Sequence, residues 1–129
     1  MNGERTLRLG DLQLRIMRVL WNAGPATVAE VQGRLEGEPL AYTTVATMLR
    51  KMEDRGLVLH RQEQRRFVYQ PAVSADDVTR SMAADLVDRL FAGSLADAVS
   101  HLLDTRDLSR RELDCLERLI EERRERIEG

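Results

Sequence analysis

Apolar residues recur along this chain at helical spacing, give way to two short β-rich runs, and then return to helical spacing up to the C-terminus. Over residues 11–21, Leu12, Ile16, Met17 and Leu20 form one stripe, with Asp11 placed to cap the free amides of a first helix. Asn22-Ala23-Gly24-Pro25 stops it. A short second helix over 28–35 buries Val28, Val31 and Leu35, and Thr27 with Glu30 has the spacing of a capping box. Gly37-Glu38-Pro39 breaks the chain again. A third helix is expected over 42–55, with Gly56 as the residue that ends it. Val45, Met48, Leu49 and Met52 make its apolar face. At about 100° per residue, Thr43, Thr47 and Arg50 point the opposite way, flanked by Thr44 and Lys51.

Two β-rich runs, 57–61 and 67–71, read as a hairpin around a polar connection at 62–66. The connection has no Asn-Gly turn signal, and Arg61, Arg65 and Arg66 are opposed there by Glu63 alone. Beyond Pro71 the pattern is helical. Ser74 with Asp77, Ser94 with Asp97 and Ser109 with Glu112 mark three helix starts, and Gly93 ends the first of them. Each of these helices carries a single apolar stripe. The expected fold class is mainly α: an N-terminal winged helix (three helices plus a β-hairpin wing) over 1–72, followed by a C-terminal helical dimerisation region over 73–129.

Charge sharpens this division. The net charge is only −2. Residues 1–71, however, hold 11 Lys/Arg against 8 Asp/Glu, and the remainder 9 against 14, so the halves carry +3 and −5. A basic first half suits a polyanionic partner, although what DNA binding requires is a local basic face. In a winged helix the third helix enters the major groove and the hairpin touches phosphates. Threonine hydroxyls can meet base edges, and their methyls a thymine methyl. The candidate DNA contacts are therefore Tyr42, Thr43, Thr44, Thr47, Arg50 and Lys51 on the helix, with Arg65 and Arg66 on the wing. A plain surface helix with its polar face in water would show the same periodicity.

The C-terminal stripes need cover, which a second copy can supply through a two-fold interface. The candidate interface residues are Val78, Met82, Leu86, Leu90, Val99, Leu102, Leu116 and Ile120. Folding back on the N-terminal part is the alternative.

Other chemistry finds little support. Cys115 is the single cysteine, and His60 and His101 lie far apart, so no metal site and no cofactor are expected. With no Gly-rich phosphate loop, no paired-carboxylate catalytic signature and no histidine near Cys115 in sequence, an enzyme is not expected. Aromatics make up only 4% of the chain, which disfavours a large ligand pocket. No run of apolar residues is long enough to insert in a membrane, and the N-terminus lacks an apolar signal core. A cytoplasmic location is expected.

Leu9-Gly10-Asp11-Leu12-Gln13, Val19-Leu20-Trp21, Ala41-Tyr42-Thr43-Thr44-Val45, Leu49-Arg50-Lys51-Met52 and Gly56-Leu57-Val58 resemble the BlaI/MecI penicillinase-repressor family over nearly the whole chain. The resemblance implies a homodimeric winged-helix repressor that covers a palindromic operator and blocks transcription. It places DNA contacts at Thr43, Thr44, Thr47 and Arg50 and dimerisation from Val78 onward. It also implies a membrane metalloprotease-receptor system upstream. Some members of that family are inactivated by cleavage of an Asn-Phe bond; Ser100-His101 stands at that position here, so the scissile pair is not retained. A copper-sensing branch carries paired C-terminal cysteines, which the lone Cys115 does not match. A ligand-responsive winged-helix regulator of the MarR type and a helical dimer that never meets DNA are the remaining alternatives.

Overall fold

Local signals start most of the elements. The computed structural model describes residues 7–129; residues 1–6, which include most of the segment read for targeting, lie outside the described residues. Helix α1 spans Asp11–Ala23. Its N-cap is Gly10, so Asp11 is the first helical residue and not the cap expected from sequence. The capping work falls to Gln13, whose Oε1 accepts from the Gly10 amide at 3.1 Å. Strand β1, Ala26–Thr27, leads directly into α2, Val28–Arg34. The capping box is formed as expected: the Glu30 amide donates to Thr27 Oγ1 at 3.2 Å, and the Thr27 amide to Glu30 Oε1 at 2.9 Å.

Helix α3 spans Tyr42–Asp54, with Arg55 as its C-cap. It closes in a Schellman motif: the Gly56 amide donates to the Glu53 carbonyl and the Leu57 amide to the Met52 carbonyl, both at 2.9 Å. Gly56 takes φ of 78°, a left-handed conformation that glycine adopts without a Cβ clash. Leu57 and Met52 are both buried, the apolar contact that accompanies this motif.

The hairpin is longer and tighter than the sequence suggests. Strands β2, Val58–Glu63, and β3, Arg66–Pro71, pair antiparallel from Val58 opposite Pro71 to Glu63 opposite Arg66. The expected five-residue connection is a two-residue turn, Gln64-Arg65, with φ of 48° and 69°. Positive φ at both central residues matches the twist of a hairpin. Here the turn is made without the Asn-Gly sequence that normally announces it. β1 adds to the other edge of β3, with Ala26 opposite Tyr69 and Thr27 opposite Val68, so the sheet order is β1-β3-β2.

The remaining helices are α4, Ala75–Phe91, α5, Leu95–Asp104, and α6, Arg110–Glu128. Ser74, Ser94 and Ser109 accept from the amides of Asp77, Asp97 and Glu112 at 3.0–3.1 Å, so all three sequence-marked starts are capped.

The described chain forms two compact units that divide at Asp85–Leu86, inside α4 and later than the 72/73 division read from sequence. In the first unit Ile16, Met17, Leu20, Val31, Val45, Leu49, Met52, Leu57 and Val58 are fully buried in one core. Val78 joins them at 1% exposure, and Met82 packs partly against them. This corrects the expectation that Val78 serves a dimer interface: its side chain is taken up within one chain. Trp21 fastens α1 to the segment entering α4 by donating Nε1–H to the Val73 carbonyl at 3.0 Å. The second unit is thin. Ala98 is buried there, while Leu86, Leu90, Leu95, Val99, Leu102, Leu113, Leu119, Ile120 and Ile127 are exposed.

Candidate nucleic-acid interface

Helix α3 is two-sided. Val45, Leu49 and Met52 have 0% exposure and seat it on the core. Tyr42, Thr43, Thr44, Thr47, Arg50 and Lys51 are all exposed. The site residues expected on this helix are therefore brought together on one solvent face. Thr43, Thr44, Thr47 and Lys51 line a shallow open groove together with Met48. The sequence pattern puts Met48 in the buried stripe, but it is only half-buried and lends the groove an apolar wall. The N-cap Ala41 offers no side-chain acceptor, so the first turn of α3 begins without a side-chain cap.

Arg50 lies on the side of α3 that faces the wing. Its charge reaches Tyr69 on β3, as does that of Glu53. Burial pushes the Tyr69 phenol above its ordinary value and Glu53 adds to that, while Arg50 pulls the other way. Glu53 is also bonded to His60 on β2, whose Nδ1 lies 2.7 and 2.8 Å from the two carboxylate oxygens. The His60 ring is tilted against Phe67 and Tyr69, with centroids 4.3 and 5.6 Å away.

On the wing, Arg65 occupies the turn itself and Arg66 the first position of β3, and both are exposed. Arg61 pairs with Glu63 and donates to Gln70 Oε1 at 3.0 Å, so it is committed within the hairpin. Arg66 acts on Glu30 of α2. The Glu30 carboxyl sits below its ordinary value, chiefly through its bonds with the Thr27 amide and hydroxyl and then through Arg34 and Arg66.

A second network braces α3 from the opposite side, and sequence reading missed it. Arg55 donates from Nη1 to Gln13 Oε1 and from Nη2 to the Arg8 carbonyl, both at 2.8 Å. Gln13 Nε2 lies 3.6 Å from the Met48 sulfur. Leu7 donates its amide to Ser81 Oγ at 2.7 Å, and Arg8 pairs with Asp85 at 3.5 Å. The segment before α1 is thus tied both to α3 and to the middle of α4. These bonds join residues far apart in sequence, and no local pattern announces them.

In the second unit, Leu86, Leu90, Val99, Leu102 and Ile120 are exposed and Leu116 is half-buried. Ser100 and His101 lie inside α5. His101 Nδ1 is 3.0 Å from the Asp97 carbonyl, and its ring is 5.2 Å from that of Phe91. Cys115 is exposed on α6. Among the described residues, no His/Cys/Asp/Glu group could hold a metal ion, and no helix is long and apolar enough to cross a membrane.

Three helices, a hairpin and a two-sided third helix define the class: a winged-helix protein with a C-terminal helical extension. The family model for the penicillinase repressor matches residues 9–122, and the chain belongs to that family of transcriptional repressors. It is 28% identical over 120 residues to the penicillinase repressor of Bacillus licheniformis, covering 92% of this chain and 94% of that protein. It is 33% identical over 118 residues to the transcriptional regulator BlaI of Mycobacterium tuberculosis, covering 89% of this chain and 84% of that protein. Among solved structures, the monomeric form of Bacillus licheniformis BlaI in complex with the blaP half-operator is 28% identical. It covers 57% of this chain and 90% of its own, with a TM-score of 0.48. The organohalide-sensing regulator RdhR-CbdbA1625 in its 2,4-dichlorophenol-bound form covers 95% of this chain and 66% of its own at a TM-score of 0.51. At 16% identity that likeness is one of fold.

Proposed function

We propose that this repressor binds an inverted-repeat operator as a homodimer, with α3 in the major groove and the wing on the flanking backbone. The observation that carries the reading is the division of α3. Val45, Leu49 and Met52 fix it to the core, while Thr43, Thr44, Thr47, Arg50 and Lys51 stand free of that core beside a wing bearing Arg65 and Arg66. Arg50 and the threonines supply the base-edge chemistry, and Tyr42, Lys51, Arg65 and Arg66 supply contacts to phosphates. Such a protein works in the cytoplasm, where the operator is, and blocks transcription by occupying the promoter.

Dimerisation is assigned to the second unit, where Leu86, Leu90, Val99, Leu102, Leu116 and Ile120 offer apolar surface to a second copy. Release by cleavage at the family position is not part of the proposal. Ser100-His101 is not an Asn-Phe pair, and it lies within a helix that would have to open first. A membrane metalloprotease receptor would therefore have to act at another bond.

Footprinting on the protein's own upstream region, followed by gel shift over a salt series, tests the proposal. Protection of an inverted repeat, with affinity falling steeply as salt rises, is the expected result. Equal binding to unrelated duplexes at every salt concentration would refute sequence reading by α3.

A further inference from the structure

Glu53 and His60 join the reading helix to the wing. Glu53 lies in the last turn of α3, and His60 is the third residue of β2. Both carboxylate oxygens face the same ring nitrogen at 2.7 and 2.8 Å. The ring is held in place by Phe67 and Tyr69, and Tyr69 is the residue opposite His60 in the ladder. Phe67 is 47% exposed, so an aromatic side chain is kept at the surface where it supports His60.

The location matters more than the bond itself. At 100° per residue, Glu53 falls on the flank of α3 that faces the hairpin, at the border of the exposed threonine and arginine face. An unpaired carboxylate there would repel the phosphates that Arg65 and Arg66 approach. Past His60 the hairpin continues to its two-residue turn through its own ladder, so the position of Arg65 and Arg66 follows from where β2 is held against α3. The pair is partly solvent-exposed, at 27% and 33%, and such a pair adds little to global stability.

We propose that Glu53 and His60 are positioning residues for DNA binding: they lock the wing against α3 so that Arg65 and Arg66 meet the backbone while α3 reads the groove. The inference rests on the DNA-binding reading given above.

The test measures operator affinity of the full chain against salt for wild type, H60A, H60F, E53Q, R65A/R66A, and H60A combined with R65A/R66A. Each phosphate that the protein no longer neutralises makes the slope of log affinity against log salt shallower by about 0.9. H60A is expected to make it shallower by about 1 to 2, as R65A/R66A does, with the melting temperature close to wild type. The combined variant should lose no more than R65A/R66A alone. H60F retains a ring against Phe67 and Tyr69 but cannot bond Glu53, so it should lower the slope like H60A. It also serves as the readout if H60A fails to fold. E53Q keeps a hydrogen-bond acceptor and should fall between wild type and H60A. A wild-type slope in H60A or H60F, or losses that simply add in the combined variant, would overturn the brace. If wild type binds no duplex from its own upstream region, the DNA-binding reading fails together with the brace; if it binds and only the slopes are unmoved, the brace alone fails.

Discussion

In the proposed complex, Arg50 is the single side chain on which base reading would depend most. It stands on the exposed face of α3 near Thr43 and Thr47, with a planar fork that can address a guanine edge in two bonds. Arg50→Ala should cost about 1–3 kcal/mol of operator binding and relax discrimination at one base pair. Competition gel shifts with single-base operator variants would show it, and unchanged affinity and preference would remove Arg50 from the reading set. Thr27 tests the scaffold instead. Its hydroxyl caps α2 at 3.2 Å, so Thr27→Ala should lower stability by about 1 kcal/mol in denaturant titration. Glu30 gives the same box a pH signature. Its carboxyl is held below its ordinary 4.5 by bonds to Thr27. A depressed folded value means the contribution is complete above the unfolded value and disappears as pH falls through the folded one. The advantage of wild type over E30Q should therefore be constant near neutrality and shrink once the pH passes below 4.5. An advantage that grew on acidification would contradict the lowered carboxyl.

The wing turn shows where local signals end. Gln64 and Arg65 both hold positive φ, which non-glycine residues occupy at a cost of about 1–2 kcal/mol each. Replacing them with Asn-Gly should raise the melting temperature and, by deleting the Arg65 guanidinium, weaken operator binding and flatten its salt dependence. Tighter binding by that variant would mean that Arg65 meets no phosphate. This strained turn also explains why the hairpin connection reads as five residues from sequence: without Asn-Gly, nothing local distinguishes a tight turn from a loop. The helix starts were legible for the opposite reason, since Thr27, Ser74, Ser94 and Ser109 each cap an amide three residues on. The two faces of α3 were equally legible because periodicity alone separates Val45 and Leu49 from Thr43 and Thr47. Strand β1 was not, because two residues carry no period and Ala26-Thr27 becomes a strand only by pairing with Val68 and Tyr69. The Arg55–Gln13 bond and the Glu53–His60 pair depend likewise on the assembled fold. For Val78, periodicity shows a stripe along α4 but not what covers each part of it. The core of the first unit covers Val78, and Leu90 is left 70% exposed.

At the scale of the whole molecule, the two units differ in how they are completed. The first has a core of fully buried side chains that runs from α1 into the first turns of α4. The second exposes Leu90, Leu95, Leu102, Leu119, Ile120 and Ile127, more apolar surface than its single buried alanine can organise. Burial of such side chains is worth roughly 1.5–3 kcal/mol each, so a second copy laid on this surface has a strong driving force. In the proposed complex, the acidic balance of residues 72–129 would disfavour contact of that surface with phosphates and leave DNA to the basic first part. In the proposed dimer, pairing would also supply affinity: with one α3 docked, the second would bind at an effective concentration that raises overall affinity by a factor on the order of 10²–10⁴. A double variant, Leu90→Glu with Leu102→Glu, places carboxylates on the proposed interface and leaves the core of the first unit untouched. It should sediment as a monomer at micromolar concentration, keep the near-wild-type melting of the first unit, bind a half-site duplex about as well as wild type does, and lose the preference for the full inverted repeat. A variant that stayed dimeric, or a monomer that still favoured the full repeat, would place dimerisation elsewhere on the chain.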